Sequence, residues 1–252
     1  MYFIIVNLTI KRGDVMHDHL SDSQLYVTVD LLILTVRSGE LNLLLSRRTA
    51  SPYEGRWALA GRFIGMDESA EASASRLLKE MLPIRNAYYE QLYTFTDVNR
   101  DPRGRVISTA YLVIVPWGQL QPLMTEGKLA FECFRVSLDE KGLKLHGDKG
   151  EELLSGDLAF DHGRIIETGI NRLQGKVDYT DIAFRFLENP LSFSLGELQT
   201  VFEAILEEKL DSSNFRRTIL GKYEKSGRLR QTSRTEQQGR GRPAALYCIK
   251  WK

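Results

Sequence analysis

The chain has 252 residues, 42% of them hydrophobic and 27% charged, with a formal net charge of +1. That balance belongs to a folded globular protein with material for one large or two smaller domains, and it excludes a disordered chain. The near-neutral total conceals a division: from Ser213 onward eleven basic residues face two acidic ones, net +9, which leaves −8 on the rest, and a basic end on an acidic body suggests a module that meets phosphate.

The opening MYFIIVNLTIKRGDVMHDH does not read as a signal peptide, because its charge follows the short apolar run and no small-residue cleavage site is expected there. Met16 is a candidate natural start, and residues 1–22 read as an N-terminal extension, a candidate for disorder. No uncharged apolar run reaches the roughly 20 residues of a membrane helix. Cys133 and Cys248 lie far apart without metal spacing and read as reduced, buried thiols of a cytoplasmic protein.

Residues 24–36 (QLYVTVDLLILTV) are β-branched and apolar, the pattern of a buried strand. Asp30 inside it is costly unless paired, so a hydrogen-bonded structural role is expected. Ser38-Gly39-Glu40 turns the chain, and residues 41–46 pair back as a second strand. A polar loop over 47–56 leads to a short extended stretch at 57–64. Asp67 opens a helix: Glu68 and Glu71 suit its positive end, Ala72, Leu77, Leu78 and Met81 give it apolar contacts, and Pro83 ends it. Strands are expected at 91–96 and 106–115 around a charged loop, NRDPRGR, with Pro116 and Gly118 closing that section. A further strand and turn occupy 129–138 and 143–147. Strands interleaved with a helix give an α/β domain over 23–155. Residues 158–173 are amphipathic and read as a helix connecting two parts, within a connector spanning 156–176. Another helix covers 179–186 and stops before Asn189-Pro190.

The basic end has its own logic. Ser194-Leu195-Gly196-Glu197 fits a capping box, and the helix behind it stripes Leu195, Leu198, Phe202, Ile205 and Leu206 on one face. After a break at 209–213, with Asp211 or Ser212 as cap, a helix over 214–225 buries Phe215, Ile219, Leu220 and Tyr223. Its other face shows Arg216, Arg217 and Lys222, which is the pattern of a recognition helix. Two extended arms, 228–232 and 244–249, flank a polar tip with Arg240-Gly241-Arg242-Pro243. Such a wing can put arginine into a narrow minor groove. Arginine that merely keeps a hairpin tip soluble is the plainer reading, and the basic helix before the tip weighs against it. Residues 177–252 are therefore expected to form an α+β winged helix-turn-helix domain. Asn214, Arg216, Arg217, Lys222, Arg228, Arg240 and Arg242 are its candidates for contact with double-stranded DNA.

Residues 57–84, WALAGRFIGMDESAEASASRLLKEMLPI, resemble a Nudix box with broken chemistry. Glu68 and Arg76 match the box glutamate and arginine, and Glu80 matches one of its paired glutamates. Arg62 and Pro83 replace glycines, and Leu77 and Met81 replace glutamates. Positions 77, 80 and 81 share one helix face; three carboxylates there would hold divalent cations that polarise a diphosphate and activate water. One carboxylate between two apolar side chains does not, so no catalytic residue, metal or cofactor is expected. The first domain reads as a degenerate α/β Nudix-type sandwich, a mixed sheet between helices.

From Tyr26 to Lys250 the chain is similar to the NrtR family of Nudix-related transcriptional regulators. The likeness rests on Val27-Thr28-Val29-Asp30, the run from Arg100 to Ser108, Leu158-Ala159-Phe160-Asp161-His162, Asn214-Phe215-Arg216-Arg217, Gly241-Arg242-Pro243-Ala244 and Leu246-Tyr247. The resemblance implies a homodimer that binds a palindromic operator and loses it on binding ADP-ribose or a related NAD-derived metabolite; related regulators answer sugars instead. Arg103 and Arg105 are candidates to clamp a diphosphate, or else belong to a salt-bridged loop that pins the two domains or a dimer. Trp57 could stack on a base, wall the same pocket or belong to the core; Arg48, Arg76 and Glu80 complete the effector-site candidates, with Arg76 alternatively a structural residue pairing with a carboxylate such as Glu80, and His162 reads as a helix-surface or packing histidine. The competing readings are a Nudix hydrolase with displaced metal ligands acting on a nucleoside diphosphate derivative, and a nucleotide-binding scaffold for a protein partner.

Overall fold

The computed structural model describes residues 6–7, 24–84, 87–127, 130–236 and 243–251. A short strand, β1 (Val6–Asn7), pairs with the start of β2 (Gln24–Arg37), so the N-terminal extension reaches the sheet at that point. β2 is the axis of the first domain. Its second half pairs antiparallel with β3 (Glu40–Arg47), its first half antiparallel with β5 (Ala60–Phe63), and its whole length runs parallel to β7 (Arg105–Ile114). β4 (Trp57–Ala58) joins β3, β6 (Tyr88–Phe95) borders β7, and β8 (Glu132–Asp139), β9 (Gly142–Gly147) and β10 (Glu152–Leu154) extend the sheet beyond β3. The order is β10-β9-β8-β3-β2-β7-β6, with one parallel pair at its centre.

Side chains alternate across a strand, and β2 shows why this sheet needs helices on both faces. Val29, Leu31 and Ile33 pack with Ala74, Leu77 and Leu78 of α1 (Ala70–Met81) and Leu120 of α2 (Trp117–Thr125). Leu32 and Leu34 face Ile165, Ile166, Ile170 and Leu173 of α3 (His162–Val177). Gly169 permits that approach, since a Cβ there would lie 2.1 Å from Leu32 Cδ2. Asp30 shares the α3 side with Leu32, inside an otherwise apolar layer.

Three local expectations shift. α1 begins at Ala70, after Ser69 accepts a hydrogen bond from the Ala72 amide at 3.1 Å, so the cap lies past Asp67. Pro116 and Gly118 do not stop the chain but start α2; proline suits a helix start, where its missing N–H costs nothing. The amphipathic run near 158 becomes helical only at His162, because Leu158 bridges Trp57 and Phe160 takes φ 54. Nor is α3 a free linker: its apolar face is fully buried against the sheet.

The second domain follows a short 3-10 turn (Ile182–Phe186) where a longer helix was expected. Ser194 and Glu197 make both halves of the capping box, at 3.2 and 2.6 Å, and open α4 (Leu195–Leu206). Glu207, at φ 56, ends it. Asp211 caps α5 (Ser212–Ile219), accepting from the Asn214 amide at 2.8 Å, and the helix widens into a π-type turn over Leu220–Glu224. β11 (Phe193–Ser194), β13 (Ala244–Ile249) and β12 (Leu229–Glu236) make a three-stranded sheet in that order. Helices on a wing-bearing sheet are a winged helix. One apolar core runs from Leu32 and Leu34 through α3 to Leu198, Phe202, Phe215 and Ile249, so the two domains pack as one body. No helix among the described residues is long and apolar enough to cross a membrane.

Candidate effector cleft and nucleic-acid interface

A cleft of about 140 Å³ opens where β2, β5, the loop after β6 and the approach to α3 meet. Its wall is a buried polar cluster. Arg100, whose side chain is 3% exposed, donates to both Asp161 oxygens at 2.7 and 3.0 Å and to Asp30 Oδ2 at 3.5 Å. Ser108 Oγ donates to the same Asp30 oxygen at 2.5 Å. These partners are what let Asp30 sit in an apolar layer. Gly61 opposite must lack a side chain, because a Cβ there would come 2.1 Å from Asp30 Oδ1. His162 Nδ1 accepts the Leu59 amide at 2.9 Å, and burial pushes the imidazole below its ordinary pKa, so it stays neutral. It is a packing histidine, as expected.

Four guanidiniums line the cleft: Arg100, Arg62, which pairs with Glu80, and Arg103 and Arg48. Arg103 is held bidentate by Asp101, at 2.7 and 3.0 Å. Burial pushes the Asp101 carboxyl up, but the hydrogen bonds from Arg103 outweigh it and hold the group below its usual range. Arg48 donates to the Pro52 and Ala50 carbonyls at 2.8 and 3.1 Å. Burial, then the nearby Arg103 charge, lowers the Arg48 pKa. Both arginines stack on the Phe160 ring, at 4.7 and 5.2 Å from its centroid. Four arginines against Asp30 and Asp101 leave the lining net positive, which favours an anion.

The other sequence candidates for this site lie elsewhere. Trp57 is in the core, edge-to-face on Phe134 at 4.8 Å, with Arg47 stacked on it. Arg105 staples its own loop by donating to the Thr96 and Asp97 carbonyls. Arg76 and Glu80 belong to a brace on the box helix: Arg76 grips Glu68 at 2.5 Å and Glu80 at 3.4 Å, and Arg62, at the box glycine position, pairs with Glu80 at 2.8 Å. Arg76 and a Gly65 amide hold the Glu68 carboxyl down at about 2. Leu77 and Met81 line a second cavity, about 300 Å³, with Phe131 and Arg47. Sequence reading missed Asp101, Phe63 and Phe160 as cleft residues. The charged loop and the LAFDH segment carried that signal, but only their neighbours were picked.

On the second domain, α5 buries Phe215 and Ile219, Phe215 edge-on to Phe202 at 5.2 Å, and exposes Asn214, Arg216, Arg217 and Thr218. Arg217 donates to Asn214 Oδ1 at 2.9 Å, and Arg216 to the Tyr247 hydroxyl at 3.1 Å. Arg216, Gln231, Thr235 and Ala244 line a groove of about 570 Å³ between this helix and the wing. Lys222 and Arg228 do not join that face. The π-type turn swings Lys222 onto the Asp178 carbonyl, and Arg228 pairs with Asp181, so both tie the domain to the end of α3. Arg240 and Arg242 lie outside the described residues.

The NrtR DNA-binding winged helix domain family matches residues 184–249. The chain is 32% identical, over 88% of its length and 80% of the relative, to the ADPR responsive transcriptional repressor NtrR of Acinetobacter baylyi. It is 29% identical to an ADP-ribose pyrophosphatase of Methanocaldococcus jannaschii, over 44% of this chain and 63% of that one. It superimposes with a TM-score of 0.68 and 30% identity on Shewanella oneidensis NrtR crystallised with a 27mer DNA, covering 89% of this chain and 93% of that one. By length, identity and architecture alike, the chain belongs to the NrtR family, transcriptional regulators that join a Nudix-type domain to a DNA-binding winged helix.

Proposed function

We propose that this chain is a transcriptional repressor that holds a palindromic operator as a homodimer in the cytoplasm and releases it on binding ADP-ribose or a related NAD-derived or sugar metabolite. The observation that carries the effector reading is the convergence of Arg48 and Arg103 on one cleft. A diphosphate needs forked donors there and no metal. The relative in Acinetobacter baylyi is named for its response to ADPR, and a diphosphate is the part of that molecule the two arginines suit. The operator reading rests on the exposed face of α5, where Asn214, Arg216, Arg217 and Thr218 stand free of the core. Arg240 and Arg242 remain candidates for the minor groove on the strength of the sequence. The domain boundaries that go with this reading are 23–155 for the sensor, 156–176 for the joining segment and 177–252 for the winged helix.

The chain is not a hydrolase in this reading. At the positions where the box needs carboxylates, Leu77 is buried in the core and Met81 packs against it, while Glu80 is engaged by Arg62 and Arg76. Hydrolysis by displaced ligands is the second reading, kept alive by the likeness to an ADP-ribose pyrophosphatase.

One titration separates them. Fluorescence anisotropy on a duplex selected by the protein from a random library should show tight binding that falls steeply with salt, because each neutralised phosphate releases counterions. ADP-ribose should reverse that binding with magnesium chelated, and chromatography of a parallel incubation with magnesium present should recover the ligand intact. Cleavage products dependent on magnesium would favour the hydrolase. Binding that ignores salt, or survives removal of residues 213–252, would remove the DNA-binding assignment to this domain.

A further inference from the structure

The segment Leu158-Ala159-Phe160-Asp161-His162 has no part in the DNA-facing surface, yet it walls the effector cleft. Its first half is stitched to β4: Leu158 bridges Trp57, and the Ala159 amide donates to the Trp57 carbonyl at 2.9 Å. Its second half is fixed by Arg100 on Asp161. Between these anchors Phe160 takes φ 54. A bulky side chain adopts that left-handed conformation only where its surroundings hold it there. The ring is held by the Arg48 and Arg103 guanidiniums, by Tyr53 edge-to-face at 5.0 Å between centroids and by the tilted His162 ring at 5.4 Å. The same two guanidiniums are among the donors that the cleft offers an anion. Asp101 and the Pro52 and Ala50 carbonyls now hold N–H groups of these guanidiniums, so an anion that takes them re-aims both planes, and charge-assisted forked bonds to phosphate oxygens outweigh the cation–π contact given up.

The far end of α3 is tied to the winged helix. Gln174 donates to the Ile205 carbonyl at 3.1 Å, the Tyr223 hydroxyl to the Thr180 carbonyl at 2.8 Å, Lys222 to the Asp178 carbonyl, and Arg228 pairs with Asp181. Sixteen residues, about 24 Å of helix, separate the two ends. A rigid rod of that length turns a small tilt at its start into a displacement at its end.

We propose that Phe160 is the positioning residue that converts occupancy of the cleft into movement of the winged helix: an anionic effector draws Arg48 and Arg103 off the ring, residue 160 relaxes from its left-handed conformation, and the start of α3 moves with it. This rests on the effector reading above. Phe160 acts through the arginines and the helix, not through contact with the ligand.

The test pairs operator anisotropy with calorimetry, using ADP-ribose as probe and a thermal melt to confirm folding. Phe160→Leu keeps an apolar side chain of similar bulk and loses the ring. It should bind operator like wild type without ligand and bind ADP-ribose at least as tightly, while the ligand-induced loss of operator affinity shrinks at least fivefold. Phe160→Tyr should respond like wild type. Should Phe160→Leu fail to fold, Phe160→Met carries the same comparison. The proposal is overturned if the ring-less variant keeps the wild-type response, if Phe160→Tyr loses it equally, or if ADP-ribose affinity collapses, which would make Phe160 a ligand contact. Wild type that binds operator but ignores ADP-ribose sinks the effector reading and this proposal together. A responsive wild type beside an equally responsive Phe160→Leu sinks this proposal alone.

Discussion

Replacing Arg100 by methionine tests the polar cluster on which the cleft is built. The side chain keeps its length and loses its charge, leaving Asp30 and Asp161 inside the fold without their shared cation. Arg100 is 3% exposed and Asp30 7%, whereas Asp161, at 14%, retains some water. Removing one side of a buried ion pair costs about 3–5 kcal/mol, and the partial access of Asp161 places this case near the lower figure. With a urea slope of about 3 kcal/mol/M, as suits a chain of this size, the midpoint should fall by about 1 M. Circular dichroism and tryptophan fluorescence should report the same fall, because one apolar core runs through both domains and Trp57 and Trp251 mark its two ends. A midpoint within about 0.3 M of wild type would mean that solvent compensates the carboxylates. Separate transitions for the two probes would refute the shared core.

Arg48→Ala and Arg103→Ala should each weaken ADP-ribose by about 10- to 100-fold in calorimetry, the worth of a hydrogen bond to a charged group, whereas Arg76→Ala and Arg105→Ala should bind as wild type does; the reverse ranking would move the site to the box helix. Arg216→Ala and Arg217→Ala should each cost about 1–3 kcal/mol of operator affinity if they read bases, while Lys222→Ala should lower the melting temperature and leave operator affinity close to wild type. Acid stability should depend on Glu68. Its folded pKa, about 2, lies below the ordinary carboxyl value, so its contribution is complete above the unfolded pKa and is lost as pH falls through the folded one. Melting temperatures between about pH 5 and 2 should fall less steeply in Arg76→Ala than in wild type, and parallel curves would show that Arg76 is not the cause.

What the sequence disclosed divides by the range of the interactions involved. Strands, caps and the recognition helix were legible because each is fixed by residues within a turn or a hairpin: Ser194 with Glu197, Asp211 with Asn214, and the alternation along β2. The cleft was half legible. Arg48 and Arg103 are cationic residues in loops, and their chemistry shows without a fold. Asp30, Arg100 and Asp161 meet across separations of 61 and 70 residues, and no local pattern announces such a meeting. The box residues were half legible too. The pairing of Arg76 with Glu80, one helical turn away, was readable, whereas the closure of Arg76 on Glu68 and of Arg62 on Glu80 joins residues 8 and 18 apart. Lys222 misled because a π-type turn, which propensity does not foretell, rotates it off the face of α5.

That closure makes a last prediction about the box. If the loss of chemistry were only a change of side chains, Leu77→Glu with Met81→Glu would rebuild a metal site. The packing argues otherwise. Leu77 is 8% exposed and sits against Leu78, Ala74 and the apolar face of β2. A glutamate there forfeits about 2 kcal/mol of burial and adds the cost of desolvating a carboxylate. Met81 is only partly buried, so Met81→Glu alone should melt close to wild type. Glu80, the one carboxylate retained, would have to leave Arg62 and Arg76 to face a cation. Met81→Glu should therefore fold and fail to bind manganese, and the double variant should lose several degrees of melting temperature without gaining hydrolysis of ADP-ribose. A double variant that melts like wild type, binds manganese and cleaves ADP-ribose would show that the helix still lies where catalysis needs it, and that the core around Leu77 has not been rebuilt to exclude the metal.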